Sequence, residues 1–124
     1  MSYSITQSTP KILGAGLVCL DIIKDNGSIR RYPGGTCGNV VSFLAFLGWQ
    51  STVLTTPYSD LAGELISSSF RQTGVEQMHL KKKPSGAPRI FENILRHNAD
   101  YVTHSFSFTC PECNRKMPEL ITPG

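Results

Sequence analysis

Residues 11–20 read KILGAGLVCL, an apolar run in which polar and apolar side chains hardly alternate. A run of this kind is typical of a strand buried on both faces of a parallel sheet. Apolar residues then recur at helical spacing over 36–47, β-branched residues dominate 51–56, and a second helical pattern covers 61–73. The order strand, helix, strand, helix predicts an α/β fold, a Rossmann-like and mostly parallel sheet with right-handed crossovers.

Local signals set the expected ends of both helices. Thr36 is predicted to cap the first helix and Gly48 to end it. Ser59 or Asp60 is predicted to cap the second, and Gly74 to end it. The predicted apolar face of the first helix consists of Val40, Phe43, Leu44 and Leu47.

Further strands are predicted outside these two units. Asn26-Gly27 predicts a type I′ hairpin turn between Ile22-Ile23 and Ile29-Arg30. After Gly74, three strands are expected over 77–82, 88–95 and 101–108. The tail, 109–124, holds two cysteines and three prolines and is predicted to be irregular.

Composition excludes several classes of protein. A chain of 124 residues is one modest domain, and its 40% hydrophobic and 17% charged residues argue against disorder, collagen and coiled coil. The net charge of +3 and a single basic run at 81–83 do not favour nucleic acid as a partner. No apolar run approaches the roughly 20 residues that span a bilayer, so no membrane partner is expected. The polar N-terminus does not resemble a signal peptide, which predicts a cytoplasmic protein.

Four residues are candidates for binding a small molecule. Gly34 and Gly35 precede a helix, where bare backbone lets a ligand approach and N–H groups are unpaired. Asp21 and Asn39 lie where a carboxylate and an amide could hold neighbouring hydroxyls of a polyol. The alternatives are an ordinary loop before a helix, a turn residue at a strand end, and a solvated helix position.

The order and spacing of these residues resemble a known family. Gly16-x4-Asp21, then Pro33-Gly34-Gly35-x3-Asn39, then Ala45-x2-Gly48 and Asp60-x2-Gly63 resemble the N-terminal part of the ribokinase family of sugar kinases, the B-type phosphofructokinase-like carbohydrate kinases. The resemblance is carried by motifs over residues 11–75, and over residues 77–108 only by the general pattern of strands and turns. Residues 57–59 depart from it, because they replace the glycine-containing turn that usually precedes the aspartate at position 60.

The resemblance implies a fold, a site and a reaction. The fold is a ribokinase-like α/β core over about 10–75 with a lid hairpin near 22–32, lid or edge strands over about 76–108, and the tail over 109–124. Asp21 and Asn39 would bind hydroxyls of a sugar or nucleoside, and Gly34 and Gly35 would lie against it. The family transfers a phosphoryl group from ATP with Mg²⁺ to a sugar hydroxyl, and its members commonly form homodimers through the lid.

The catalytic part of the family pattern is absent from the sequence. Its Gly-x-Gly-Asp motif supplies the general base and the anion hole, and no such motif occurs here. The segments that bind ATP are missing as well. We therefore expect a truncated kinase, with no catalytic residue in this chain and no measurable sugar kinase activity of the chain alone.

Cys110-Pro-Glu-Cys113 is a separate signal. Two cysteines with two residues between them can form half of a zinc site, with His104 or His97 as a third ligand; free thiols and a redox pair are the alternatives. This pair supports the alternative function, a non-catalytic interaction or zinc-binding module derived from a kinase.

Overall fold

The structure, a computed structural model, describes residues 8–81, 86–98, 100–109 and 114. Over these residues the chain forms, in order, β1 (Lys11–Ala15), β2 (Cys19–Asp25), β3 (Ser28–Gly34), α1 (Thr36–Phe46), β4 (Gln50–Thr55), α2 (Leu61–Thr73), β5 (Glu76–His79), β6 (Arg89–His97) and β7 (Tyr101–Ser107). No helix in the described ranges has the length and apolar character needed to cross a membrane.

Two sheets share these strands. The first is parallel with the order β1-β4-β5, in which Gly14 pairs with Val53 and Leu54 with Met78. The second has the order β3-β2-β6-β7, with β2 and β6 parallel and the outer pairs antiparallel. Of the three strands predicted after Gly74, β5 joins the parallel sheet, and β6 and β7 complete the second sheet. The mixed α/β class predicted from the sequence is confirmed.

The single strand predicted over 11–20 is wrong, because the run divides between the two sheets. β1 ends at Ala15, Gly16 takes a φ of +156°, and β2 begins at Cys19. A positive φ of this kind disfavours a side chain, so the glycine marks the place where the chain leaves the first sheet. Because of this break, Asp21 lies in the second sheet.

The hairpin prediction is confirmed. Asn26 and Gly27 have φ of 48° and 82°, the positive values that a type I′ turn requires, and Asp25 pairs with Ser28 across it. The hairpin brings β3 beside β2, so that Gly34 lies opposite Cys19.

The predicted cap of α1 and its predicted buried face are both wrong. Gly35, not Thr36, is the N-cap, and the buried residues of the helix are Gly38 and Val41. Of the predicted face, Val40, Phe43 and Leu47 are exposed. The helix turns its small side to the sheet because it lies close to β1: a Cβ at Gly14 would overlap the side chain of Val41.

The bounds and caps of α2 agree with the prediction. Asp60 accepts a hydrogen bond from the Gly63 N–H (3.0 Å), and Gly74 takes the left-handed conformation after the last turn. Arg89 Nη2 lies 2.7 Å from Asp60 Oδ2, which ties the start of β6 to this helix. α2 carries Ile66 and Phe70 into the core, where they pack with Val41 and Val53.

Candidate functional site

Asp21 lies on β2 with its carboxylate half-buried. The Cys19 thiol donates a hydrogen bond to Asp21 Oδ1, with Sγ and Oδ1 3.3 Å apart. Burial raises the pKa of the Asp21 carboxyl, the Cys19 hydrogen bond opposes that change, and the charge of Glu92 adds to it. Burial and the adjacent carboxylate also raise the pKa of Cys19, so this thiol remains a protonated donor and not a nucleophile.

Gly34 provides the space that the Asp21 carboxylate occupies. A Cβ at Gly34 would overlap the Asp21 carboxylate. The two residues lie on adjacent antiparallel strands, since Asp21 pairs with Tyr32 and Cys19 with Gly34. The structure therefore brings these two predicted site residues into direct contact.

Gly35 connects this contact to α1. Its φ is 87°, and a Cβ there would overlap the Leu17 carbonyl group. The Leu17 oxygen accepts hydrogen bonds from the N–H groups of Cys37 (3.1 Å) and Gly38 (3.3 Å). The expectation of unpaired N–H groups at this helix start is wrong for these two, because a backbone carbonyl already satisfies them.

Asn39 lies one turn into α1. Its N–H donates to the Gly35 oxygen (2.9 Å), and the residue is exposed. Among the described residues no hydrogen bond joins its side chain to Asp21. The backbone thus places Asn39 one helical turn from Gly35, with its amide open to a ligand.

Glu92 is a residue near the site that the sequence pattern does not identify. On the second sheet Asp21 pairs with Ile90 and Ile23 pairs with Glu92, so Asp21 and Glu92 point to the same face of neighbouring strands. His104 Nδ1 on β7 pairs with Glu92 Oε1. The signal in the sequence is weak, because the contact depends on the parallel pairing of β2 with β6.

The metal-site prediction falls mostly on residues that are not described. Cys110 and Cys113 lie outside the described residues, and His104 is engaged by Glu92. Within the described ranges no group of three His, Cys, Asp or Glu side chains is placed to hold a metal ion. Zinc binding by the cysteine pair stays a prediction.

Asp21→Asn is expected to stabilise the fold at neutral pH. A carboxyl whose pKa is higher in the folded protein than in the unfolded chain adds to the free energy of unfolding at low pH. This stabilisation is complete below the unfolded pKa of about 3.9 and is lost as the pH rises through the folded pKa. The gain from Asp21→Asn should therefore be largest near pH 7 and fade as the pH falls toward 4. Urea unfolding of both proteins across this range measures it.

Asp25→Asn, on the same strand, is the matched control with the opposite sign. Its hydrogen bonds with Arg96 (2.9 and 2.6 Å) lower the pKa of the Asp25 carboxyl. The Asp25 carboxylate therefore stabilises the fold above its unfolded pKa, and this stabilisation is lost in acid. Asp25→Asn should destabilise the protein at pH 7. Equal effects of both substitutions would contradict the assignment of a raised pKa to the Asp21 carboxyl.

The fold is that of ribokinase-like carbohydrate kinases, as solved structures show. Fructokinase from Vibrio cholerae in apo form matches with a TM-score of 0.63 at 20% identity, over 81% of this chain and 34% of that chain. Fructokinase from Xylella fastidiosa with bound ATP matches with a TM-score of 0.62 at 20% identity, over 80% and 33%. Aminoimidazole riboside kinase from Salmonella enterica, complexed with aminoimidazole riboside and an ATP analog, matches with a TM-score of 0.57 at 23% identity, over 65% and 28%.

The chain spans about a third of the length of these kinases. At such identities the likeness establishes the fold alone. No family model matches the chain, and no curated protein is significantly similar to it.

Proposed function

We propose that this chain is the sugar-binding part of an ATP-dependent carbohydrate kinase of the ribokinase family, its B-type phosphofructokinase-like branch. The observation that carries the proposal is the Asp21 carboxylate, half-buried against Gly34 in a fold shared with solved sugar kinases. A carboxylate whose charge is only partly solvated gains from hydroxyl donors, because each donor replaces lost water. A sugar or nucleoside supplies several such hydroxyls on one small molecule.

Each residue of the site has a distinct part in binding. Asp21 accepts hydrogen bonds from sugar hydroxyls, and Gly34 keeps the space that its carboxylate needs. Gly35 brings the start of α1 against the sugar, and the exposed Asn39 amide holds another hydroxyl. Glu92 adds negative charge on the same sheet face, which favours hydroxyl donors and disfavours anionic ligands.

The described residues do not fit the phosphates of ATP or its Mg²⁺. At α1 the Leu17 carbonyl occupies two N–H groups, and at α2 the Asp60 carboxylate occupies the Gly63 N–H. No described cluster of three acidic, His or Cys side chains could hold a metal ion. We therefore assign the acceptor side of the reaction to this chain and derive no phosphoryl-transfer step from it. ATP turnover by the purified chain is expected not to exceed the buffer control.

A homodimer through the second sheet is part of the same proposal. Its outer strand β7 exposes Tyr101, Val102 and Phe106, and β3 exposes Ile29 and Tyr32. Exposed apolar side chains on an open sheet edge favour association. We place this kinase in the cytoplasm, as the sequence predicts.

Calorimetric titration with neutral pentoses, hexoses and nucleosides tests the proposal. At least one of them should bind, and Asp21→Ala should weaken that binding by about 100-fold, or about 3 kcal/mol, since hydrogen bonds to a charged group are each worth about 1.5–3 kcal/mol. Asp25→Ala removes a carboxylate from the same strand and should leave the affinity within about twofold.

Two outcomes would contradict the proposal. The first is that the wild-type chain binds no member of the panel. The second is that the Asp21→Ala and Asp25→Ala variants bind the sugar equally well. Retention of zinc by a chain that binds no sugar would instead support the interaction or zinc-binding module.

A further inference from the structure

A cavity lies beside α2, away from the sugar site. Its volume is about 220 Å³, and it lies between one side of α2, from Gly63 to Arg71, and the ends of β4 and β5. Both strands are parallel, and their carboxyl ends, Thr55 and His79, border the cavity. Ligands of open α/β sheets bind at this edge of the strands. Asp21, Gly34, Gly35 and Asn39 do not line it.

Two threonine residues with little exposed surface line the cavity. Thr55 is 5% exposed and Thr56 is 6% exposed, and both border the cavity. No hydrogen bond of either hydroxyl is found within the described part of the chain, and neither oxygen is among the fully enclosed atoms without a partner, so both are accessible from the cavity. Each hydroxyl is therefore free to donate a hydrogen bond to, or accept one from, a molecule in the cavity.

Opposite charges lie at the two ends of the cavity. Glu64 and Arg71 both line it and are seven residues apart on α2, which separates their backbones by about 10 Å. Arg71 Nη1 donates to Ser67 Oγ (3.0 Å), and this hydrogen bond orients the guanidinium while leaving its other N–H groups for a ligand. No ion pair neutralises either charge among the described residues.

We propose that this cavity binds a small polyhydroxylated carboxylic acid. Its carboxylate pairs with the Arg71 guanidinium, whose planar fork matches a carboxylate. Its hydroxyls form hydrogen bonds with Thr55 and Thr56, and a hydroxyl at its far end donates to the Glu64 carboxylate. The site is independent of the sugar-binding proposal, since no residue is shared between the two.

Titration calorimetry with D-gluconate tests this site, with sorbitol as the neutral analogue of equal chain length. Gluconate should bind the wild-type chain at least tenfold more tightly than sorbitol, because only gluconate carries the carboxylate. Arg71→Gln should lower gluconate affinity at least tenfold, and Arg30→Gln, at an exposed site on β3, should leave it within twofold.

Two further variants distinguish binding in this cavity from binding elsewhere on the chain. Thr56→Val keeps the side-chain shape, removes the hydroxyl and should lower gluconate affinity about threefold to tenfold. Asp21→Asn should leave gluconate binding unchanged, which distinguishes this site from the sugar site. The proposal is overturned if gluconate does not bind the wild type, if sorbitol binds as tightly, if Arg71→Gln binds as tightly as the wild type, or if Asp21→Asn abolishes binding.

Discussion

Gly35→Ala is expected to lower the free energy of unfolding by about 3 kcal/mol, a large share of the 5–15 kcal/mol typical of a domain. Gly35 has a φ of 87° and a ψ of 152°, a region essentially restricted to glycine that costs a residue with a Cβ at least about 1 kcal/mol. Its Cβ would also overlap the Leu17 carbonyl group. Displacing that carbonyl weakens the hydrogen bonds that it accepts from Cys37 and Gly38, which adds about 2 kcal/mol.

Gly48→Ala is the control, because it introduces a Cβ at a positive φ without a steric overlap. Gly48 has a φ of 91°, and a Cβ there would meet nothing within 4 Å. Its substitution should cost about 1 kcal/mol. Urea unfolding of the three proteins measures the difference, and equal losses at both positions would show that the Leu17 carbonyl does not constrain Gly35.

Elements with local signals could be predicted from the sequence. The Asn26-Gly27 turn, the Asp60 cap and the Gly74 end of α2 each depend on the conformational preference of one or two residues. Preferences of this kind act over a few residues and persist in any tertiary setting. For the same reason the bounds of α2 were predicted correctly.

Features that depend on distant partners could not be predicted. The apolar run over 11–20 does not reveal that β1 pairs with β4 while β2 pairs with β3 and β6. α1 is apolar on most of its circumference, so spacing alone cannot choose between the Phe43 face and the Val41 face. Phe43 is 62% exposed and Val41 is fully buried, because the missing side chain at Gly14 leaves room for Val41 against β1.

The parallel sheet has an apolar face that is not covered by the described residues. Like the exposed apolar residues of α1, it shows that apolar side chains of this chain are not all buried. Leu13 is 59% exposed and Met78 is 53% exposed, and both point away from Gly14 and Val53, which face α1. Parallel sheets are normally covered on both faces. Apolar spacing alone would therefore predict that residues such as Leu13 and Met78 are buried, although they are exposed within the described part of the chain.

The candidate site also has features that the sequence predicts and features that depend on distant partners. Asp21, Gly34, Gly35 and Asn39 were selected by residue type and order, and the sequence contains all of that information. The close contact of Gly34 with the Asp21 carboxylate and the presence of Glu92 on the same face depend on the register of β2 with β3 and β6. Register is a property of the assembled sheet, so a single sequence does not display it.

Gly34→Ala is expected to weaken sugar binding strongly by displacing Asp21, although alanine adds only one methyl group. The new Cβ would take the place of the carboxylate, which must rotate or push β3 away. We expect a loss of about 1–2 kcal/mol in the free energy of unfolding. Sugar affinity should fall by about 100-fold, as in Asp21→Ala, since both changes remove the carboxylate from its position.

A double-mutant cycle separates this contact from a general effect on β3. In Asp21→Ala the carboxylate is gone, so adding Gly34→Ala should cost less than about 0.5 kcal/mol, because alanine suits a strand better than glycine does. Unfolding of the four proteins in urea gives a coupling energy of about 1–2 kcal/mol if Gly34 serves to make room for Asp21. A coupling near zero would mean that Gly34 is required by the backbone alone. Since this readout needs no ligand, it tests the geometry of the site even if the sugar that binds there is unknown.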